Sequence, residues 1–84
     1  MSKVISVVGG AGHVGLPLCL VLANYGHRVY GIDINETAIK SIIKGNLPFI
    51  EEQGEEYLKN ALEKQKLIMT SDHSKIKESD IVII

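Results

Sequence analysis

A glycine-rich turn constrains the fold of this chain more than any other feature. Gly10, Gly12 and Gly15 follow the pattern G-x-G-x-x-G between an apolar run and an apolar segment of helical length. In that pattern the first glycine permits a tight turn, the second leaves room for a diphosphate, and the third lets the helix pack on the strand. The diphosphate then lies at the N-terminus of the helix, where backbone N–H groups and the helix dipole attract negative charge.

The spacing alone is weak evidence, because many tight turns contain glycines, but its surroundings agree with it. The β-branched run 3–8 predicts a strand before the turn, and the apolar segment after it predicts a helix over about 12–24, closed by Gly26. A second strand is predicted over 28–32 and ends at Asp33. Together these elements predict a dinucleotide-binding unit.

Asp33 is the predicted ribose-binding residue. It lies 18 residues after Gly15, and an acid about 20 residues beyond such a turn accepts hydrogen bonds from the adenosine ribose. No Arg or Lys lies between Asp33 and Lys40, so nothing nearby would compensate a 2′-phosphate against the carboxylate. We therefore predict NAD as the cofactor rather than NADP. The alternative is that Asp33 only caps the end of its strand.

The rest of the chain continues the alternation of strands and helices. Helices are predicted after the N-cap Asn35 and over 55–65, with a short helical piece at 75–78, and strands over 67–70 and 80–84. Right-handed crossovers then give a Rossmann-like parallel sheet of order 3-2-1-4 with helices on both faces. Ligand is expected where the carboxyl ends of the first and fourth strands meet.

Apolar side chains are predicted to form the core faces of the later elements. The expected buried residues are Ala38, Ile39, Ile42 and Ile43 on the second helix, Leu47, Phe49 and Ile50 in the following loop, and Tyr57, Leu58, Ala61 and Leu62 on the third helix. Glu51 and Glu52 are expected to form a solvated acidic turn rather than a catalytic pair. Cys19 lies among leucines, which predicts an inert packed thiol.

Composition limits the size and the partners of the chain. With 84 residues and a formal net charge of -1, it forms at most one small domain with no bias towards nucleic acid or anionic membranes. No run approaches the roughly 20 apolar residues that cross a bilayer, and the single cysteine fits a reducing, cytoplasmic setting. The three histidines have no metal-ligand spacing, and no metal site is predicted. Because an apolar strand at 80–84 needs neighbours on both faces, residues 1–84 are expected to be the first part of a larger dinucleotide-binding domain, cut after its fourth strand.

The flanks of the turn distinguish two families that share its glycines. Segment 9–15 is similar to the opening of extended short-chain dehydrogenases, including nucleotide-sugar epimerases, which usually have Thr where this chain has Val8. Segment 8–17 resembles the V-I-G-x-G-Y-[VI]-G-L-P opening of the UDP-glucose/GDP-mannose dehydrogenase family, and the agreement extends over 31–35, 45–51, 70–72 and 79–84. The chain departs from that family at His13, where Tyr is usual, and at 52–54, where Pro-Gly-Leu is common.

The second resemblance implies a nucleotide-sugar 6-dehydrogenase. Such an enzyme oxidises the primary alcohol of a UDP-linked sugar to a carboxylate with two NAD⁺, in the synthesis of surface polysaccharides. By this resemblance the cofactor positions are Gly10, Gly12, His13, Val14 and Asp33, to which the glycine pattern adds Gly15. The ring of His13 either covers the cofactor or lies in solvent. Leu16, Pro17 and Ala38 favour the UDP-N-acetyl-amino-sugar branch.

The catalytic cysteine, its helper lysine and acid, and the sugar site are expected beyond residue 84, so no catalytic residue is assigned and the isolated chain is expected to be inactive. The intact protein is expected to be a homo-oligomer. Two alternatives stay open: an extended short-chain epimerase, which needs a downstream Tyr-x-x-x-Lys pair, and a non-enzymatic NAD-sensing module. The loop 48–51 speaks against the sensing module, which needs no such insertion.

Overall fold

The computed structural model describes residues 2–48 and 53–84. Its elements, in chain order, are β1 (Val4–Val8), α1 (Gly15–Asn24), β2 (Arg28–Ile32), α2 (Glu36–Ile43), α3 (Gly54–Glu63), β3 (Leu67–Thr70), a 3₁₀ helix (His73–Glu78) and β4 (Ile81–Ile83). All paired strands are parallel, in the order β3-β2-β1-β4. The predicted Rossmann-like sheet order is confirmed.

The two faces of the sheet are covered by different elements. Ser6 in β1 hydrogen-bonds to Ser79, which follows the 3₁₀ helix, so this helix lies on one face. Val7 alternates to the other face, and its register partner Gly31 lies beneath Cys19 of α1. α1 and α3 pack together on this second face. The predicted placement of helical segments on both faces is therefore confirmed.

The hydrophobic core lies between the sheet and the helices. Leu16, Cys19, Val29 and Leu58 are fully buried in it, and Ile42 contributes from α2. Asn35 caps α2 by accepting a hydrogen bond from Ala38 N at 3.0 Å. Past the end of α2, Gly45 has a φ of +92°, a left-handed conformation that glycine adopts without strain.

The predicted start of α1 and the predicted burial of Ile43 and Tyr57 are wrong. α1 begins at Gly15 rather than near residue 12, because the preceding residues form turns. Ile43 and Tyr57 are exposed, since each short helix buries only the stripe that faces the core. In β4, Ile81 is 44% exposed.

The predicted docking of the loop after α2 is confirmed in part. Leu47 is half-buried and packs against the core. Phe49, Ile50 and the acidic pair Glu51 and Glu52 lie outside the described residues. No helix among the described residues is long and apolar enough to span a membrane.

Candidate functional site

The glycine turn is hydrogen-bonded to the end of the neighbouring strand. Gly9 has a φ of +83°, in the left-handed region that favours glycine. Gly9 N and Gly10 N donate to Ile32 O at 2.8 and 3.1 Å, and Gly12 N donates to Gly9 O at 3.1 Å. The residue that makes the tight turn possible is therefore Gly9, one position before the glycine to which the pattern assigned that task.

The three glycines of the pattern are required to different degrees by the fold. A Cβ on Gly10 would lie 2.6 Å from Gly31 Cα, and a Cβ on Gly15 would overlap the Gly9 carbonyl. On Gly12 the nearest contact of a Cβ would be 3.3 Å, to Gly9 O, which a small shift could relieve. Gly12 is exposed, so its missing side chain leaves open space beside the turn. A side chain at Gly10 or Gly15 would clash with the protein itself, which explains glycine at these two positions. At Gly12 the fold has room for a small side chain, so glycine there is best explained by the space it leaves for an external group.

The N-terminus of α1 offers backbone N–H groups beside that open space. The N-cap residue Val14 makes no side-chain capping bond, and the first turn contains no acidic residue. Leu16 N donates to Gly12 O in the turn at 3.0 Å, and Leu18 N donates to the carbonyl of the N-cap residue Val14 at 3.4 Å. Over residues 2–48 and 53–84, the N–H groups of Val14 and Gly15 have no protein acceptor. Such a helix end can hold an anion such as a diphosphate.

A cleft of about 400 Å³ lies in front of this helix end. Its walls come from the end of β1, the glycine turn, the start of α1 and the end of β4, and they include exposed His13 and the residues Val8, Gly12, Val14, Ile83 and Ile84. The cleft therefore lies at the carboxyl ends of β1 and β4, where the strand order reverses. This is the place where open α/β sheets bind their ligands.

Asp33 lies at the end of β2, next to the glycine turn. Its Oδ2 accepts a hydrogen bond from Ala11 N and its Oδ1 accepts one from Asn35 N, both at 3.0 Å. Its own N–H donates to Thr70 O at 3.1 Å. A carboxylate offers about four acceptor sites, so this half-buried group can accept further bonds, such as those from ribose hydroxyls.

The structure thus brings Gly10, Gly12, Gly15 and Asp33 together around one turn, with His13 and Val14 at the mouth of the cleft. Ala11, Ile83 and Ile84 were missed by sequence reasoning. Ala11 contributes to the site through its backbone N–H, which bonds to Asp33. Every residue except proline carries this group, so the residue type did not indicate that Ala11 belongs to the site. The apolar residues Ile83 and Ile84 predicted a strand but did not indicate that they line a cleft.

Cys19 is buried in the core and takes no part in the site. Burial raises the pKa of Cys19 to about 12, so its thiol is protonated and unreactive, as expected of a packed residue. Among the described residues, no three His, Cys, Asp or Glu side chains form a cluster that could hold a metal ion.

Comparison with known proteins agrees with this geometry. Residues 3–84 match the model of the UDP-glucose/GDP-mannose dehydrogenase family, NAD binding domain. The chain is 34% identical over 76 residues to UDP-glucose 6-dehydrogenase from Rickettsia conorii. It is 36% identical over 75 residues to UDP-N-acetyl-D-mannosamine dehydrogenase from Pyrococcus horikoshii. Each match covers 89% of this chain and 18% of the relative.

A solved structure gives the same result at the level of the fold. The ternary complex of GDP-mannose dehydrogenase from Pseudomonas aeruginosa superimposes with a TM-score of 0.85 and 33% sequence identity, covering 93% of this chain and 18% of that one. The two relatives and this neighbour are, by their names, nucleotide-sugar dehydrogenases. The chain belongs to the NAD binding domain of the UDP-glucose/GDP-mannose dehydrogenase family.

Proposed function

We propose that this chain holds the adenosine diphosphate half of NAD at the glycine turn. The diphosphate lies against the backbone of His13, Val14 and Gly15, in the space that Gly12 leaves open. Asp33 accepts hydrogen bonds from the ribose hydroxyls. The observation that carries this assignment is the position of the Asp33 carboxylate, 3.0 Å from Ala11 N in the turn and with acceptor sites left over.

The same carboxylate supports NAD over NADP. A 2′-phosphate would replace a hydrogen-bond donor with an anion beside Asp33, and like charges repel. Among the described residues, the Asp33 carboxylate accepts hydrogen bonds from the backbone N–H groups of Ala11 and Asn35. NADP is therefore expected to bind more weakly.

We further propose that residues 1–84 are the first part of the dinucleotide domain of a cytoplasmic, homo-oligomeric nucleotide-sugar 6-dehydrogenase. Bound NAD supplies the hydride acceptor of such a reaction, and this chain holds and orients it. The relatives named above act, by their names, on UDP-glucose, UDP-N-acetyl-D-mannosamine and GDP-mannose. Because all of them share this segment, the choice of sugar is expected to lie outside it.

Titration of the ¹⁵N-labelled chain with NAD⁺ and NADP⁺, followed by NMR, tests the cofactor assignment. We expect NAD⁺ to shift the amide signals of Val14 and Gly15, and NADP⁺ to bind about tenfold more weakly through charge repulsion. Asp33→Ala should weaken NAD⁺ binding by about tenfold, because charged hydrogen bonds to the ribose are lost. Asp72→Ala, which removes a carboxylate beyond the end of β3, is the control. Equal binding of both dinucleotides would contradict the assignment.

An assay of a longer protein that contains this chain tests the proposed reaction. With UDP-glucose or UDP-N-acetyl-D-mannosamine and excess NAD⁺, we expect two NADH for each sugar oxidised. Conversion of the sugar without net NADH would instead indicate an epimerase. The ratio of NADH to uronic acid therefore separates the two reaction classes.

A further inference from the structure

The bonds of Asp33 connect three parts of the molecule. Oδ2 accepts from Ala11 N in the glycine turn, and Oδ1 accepts from Asn35 N at the start of α2. The Asn35 side chain in turn accepts from Ala38 N and caps α2. One carboxylate thus ties the turn, the end of β2 and the start of α2 to each other.

The Ala11 bond holds the part of the turn that leads into α1. The first half of the turn has its own anchors, since Gly9 N and Gly10 N both donate to Ile32 O. Beyond Gly10, Ala11 N donates to Asp33, and Gly12 N donates back to Gly9 O within the turn. Asp33 therefore supplies a connection between the second half of the turn and the sheet.

We infer that Asp33 is a positioning residue for the diphosphate-binding turn as well as a ribose contact. This inference rests on the proposed function and deepens it. By holding Ala11, the carboxylate fixes the path of the backbone towards Val14 and Gly15, whose N–H groups have no acceptor in the described parts of the chain. Recognition of the ribose and recognition of the diphosphate then depend on the same side chain, and its loss weakens both.

A ligand without a ribose separates this role from a ribose contact. If Asp33 only contacted the ribose, its neutralisation would leave the affinity for inorganic pyrophosphate unchanged or raise it, because a negative charge near the anion disappears. If Asp33 positions the turn, the same change lowers that affinity. Only the positioning role therefore predicts a loss of pyrophosphate affinity.

The experiment compares the wild-type chain with Asp33→Asn and Asp33→Ala, using NMR titration with inorganic pyrophosphate and amide hydrogen exchange. Asp72→Asn is the matched control, because Asp72 is an exposed carboxylate that bonds only locally, to Ser74 N at 2.9 Å. We expect both Asp33 variants to bind pyrophosphate about fivefold more weakly and to exchange the Ala11 amide about fivefold faster. The Gly9 amide, bonded to Ile32 O, reports whether the fold stays intact.

The outcomes separate this inference from the proposed function. Pyrophosphate affinity that is unchanged or higher in Asp33→Asn, with wild-type binding intact, would overturn only the positioning role. Failure of the wild-type chain to bind NAD⁺ would overturn the proposed function, and the Ala11 exchange rate would then decide the positioning role by itself. An Ala11 rate equal to that of the wild type in both Asp33 variants would overturn it.

Discussion

At the scale of single residues, the glycines around the site differ in the kind of atom that faces them. A Cβ on Gly10 would meet the backbone of β2, with Gly31 Cα 2.6 Å away. A Cβ on Gly31 would lie 2.5 Å from Met69 Sδ, the flexible end of a side chain. Backbone in a sheet cannot move without breaking its ladder, whereas a methionine can change rotamer.

Alanine substitution is therefore predicted to cost much more at Gly10 than at Gly31. We expect Gly10→Ala to lower the free energy of unfolding by about 3 kcal/mol, at the upper end of overpacking effects, and Gly31→Ala by about 1 kcal/mol. Urea denaturation followed by circular dichroism measures both. Equal losses would contradict the prediction.

Cys19 determines part of the stability at alkaline pH. Burial raises its pKa from 9.0 to about 12, so the folded state keeps a proton that the unfolded state releases. Its contribution is complete below about pH 9 and is lost as the pH rises towards 12. We expect stability to fall over this range more steeply in the wild type than in Cys19→Ala, as measured by urea denaturation at several pH values. Parallel pH profiles would contradict this prediction.

At the scale of elements, two serines attach the 3₁₀ helix to the sheet. Ser79 Oγ donates to Lys75 O at 3.1 Å, and the fully buried Ser6 hydroxyl bonds to Ser79 Oγ. Because Ser79 has a single hydroxyl proton, Ser6 must be the donor between them. The chain then returns to the sheet through Asp80, whose carboxylate accepts from Val4 N at 2.9 Å.

This direction of donation predicts unequal effects of two alanine substitutions. Ser79→Ala leaves the buried Ser6 hydroxyl without its acceptor and should cost about 2 kcal/mol, whereas Ser6→Ala leaves Ser79 bonded and should cost about 1 kcal/mol. The double variant should be no less stable than Ser79→Ala, because no orphaned donor remains. A double-mutant cycle in urea measures the three values, and strict additivity would rule out the coupling.

At the scale of the whole molecule, the end of the sheet at β4 is the most exposed apolar region of the strands. β4 pairs with β1 on one side and is the outer strand of the four on the other. Ile81 is 44% exposed and Val82 38% exposed. An apolar outer strand with unpaired backbone groups favours pairing with another chain.

Self-association of the isolated chain is the expected consequence. Light scattering coupled to size exclusion should show a mass that rises with concentration, and Val82→Lys should reduce that rise by placing a charge on the outer strand. Lys77→Ala is a surface control, since Lys77 is an exposed residue of the 3₁₀ helix. A constant monomer mass at all concentrations would contradict the prediction.

Much of the fold follows from local pattern. The alternation of β-branched runs with apolar segments of helical length predicted the strands and helices, and the handedness of crossovers predicted their order in the sheet. Exposure was predicted less well, as Ile43 and Tyr57 show. A local pattern tells which residues are apolar, but the neighbour that covers each face is distant in the sequence.

Residue type and spacing were enough to predict the glycine turn, the acid at the end of β2 and the family to which they belong. The folded chain was needed to show that Gly9 makes the turn, that a side chain at Gly10 would clash with Gly31, and that Asp33 bonds to Ala11 N. Each of these contacts involves a backbone group that meets its partner only after β1 and β2 pair. Every residue has a backbone, so residue type does not show which partner that backbone will have.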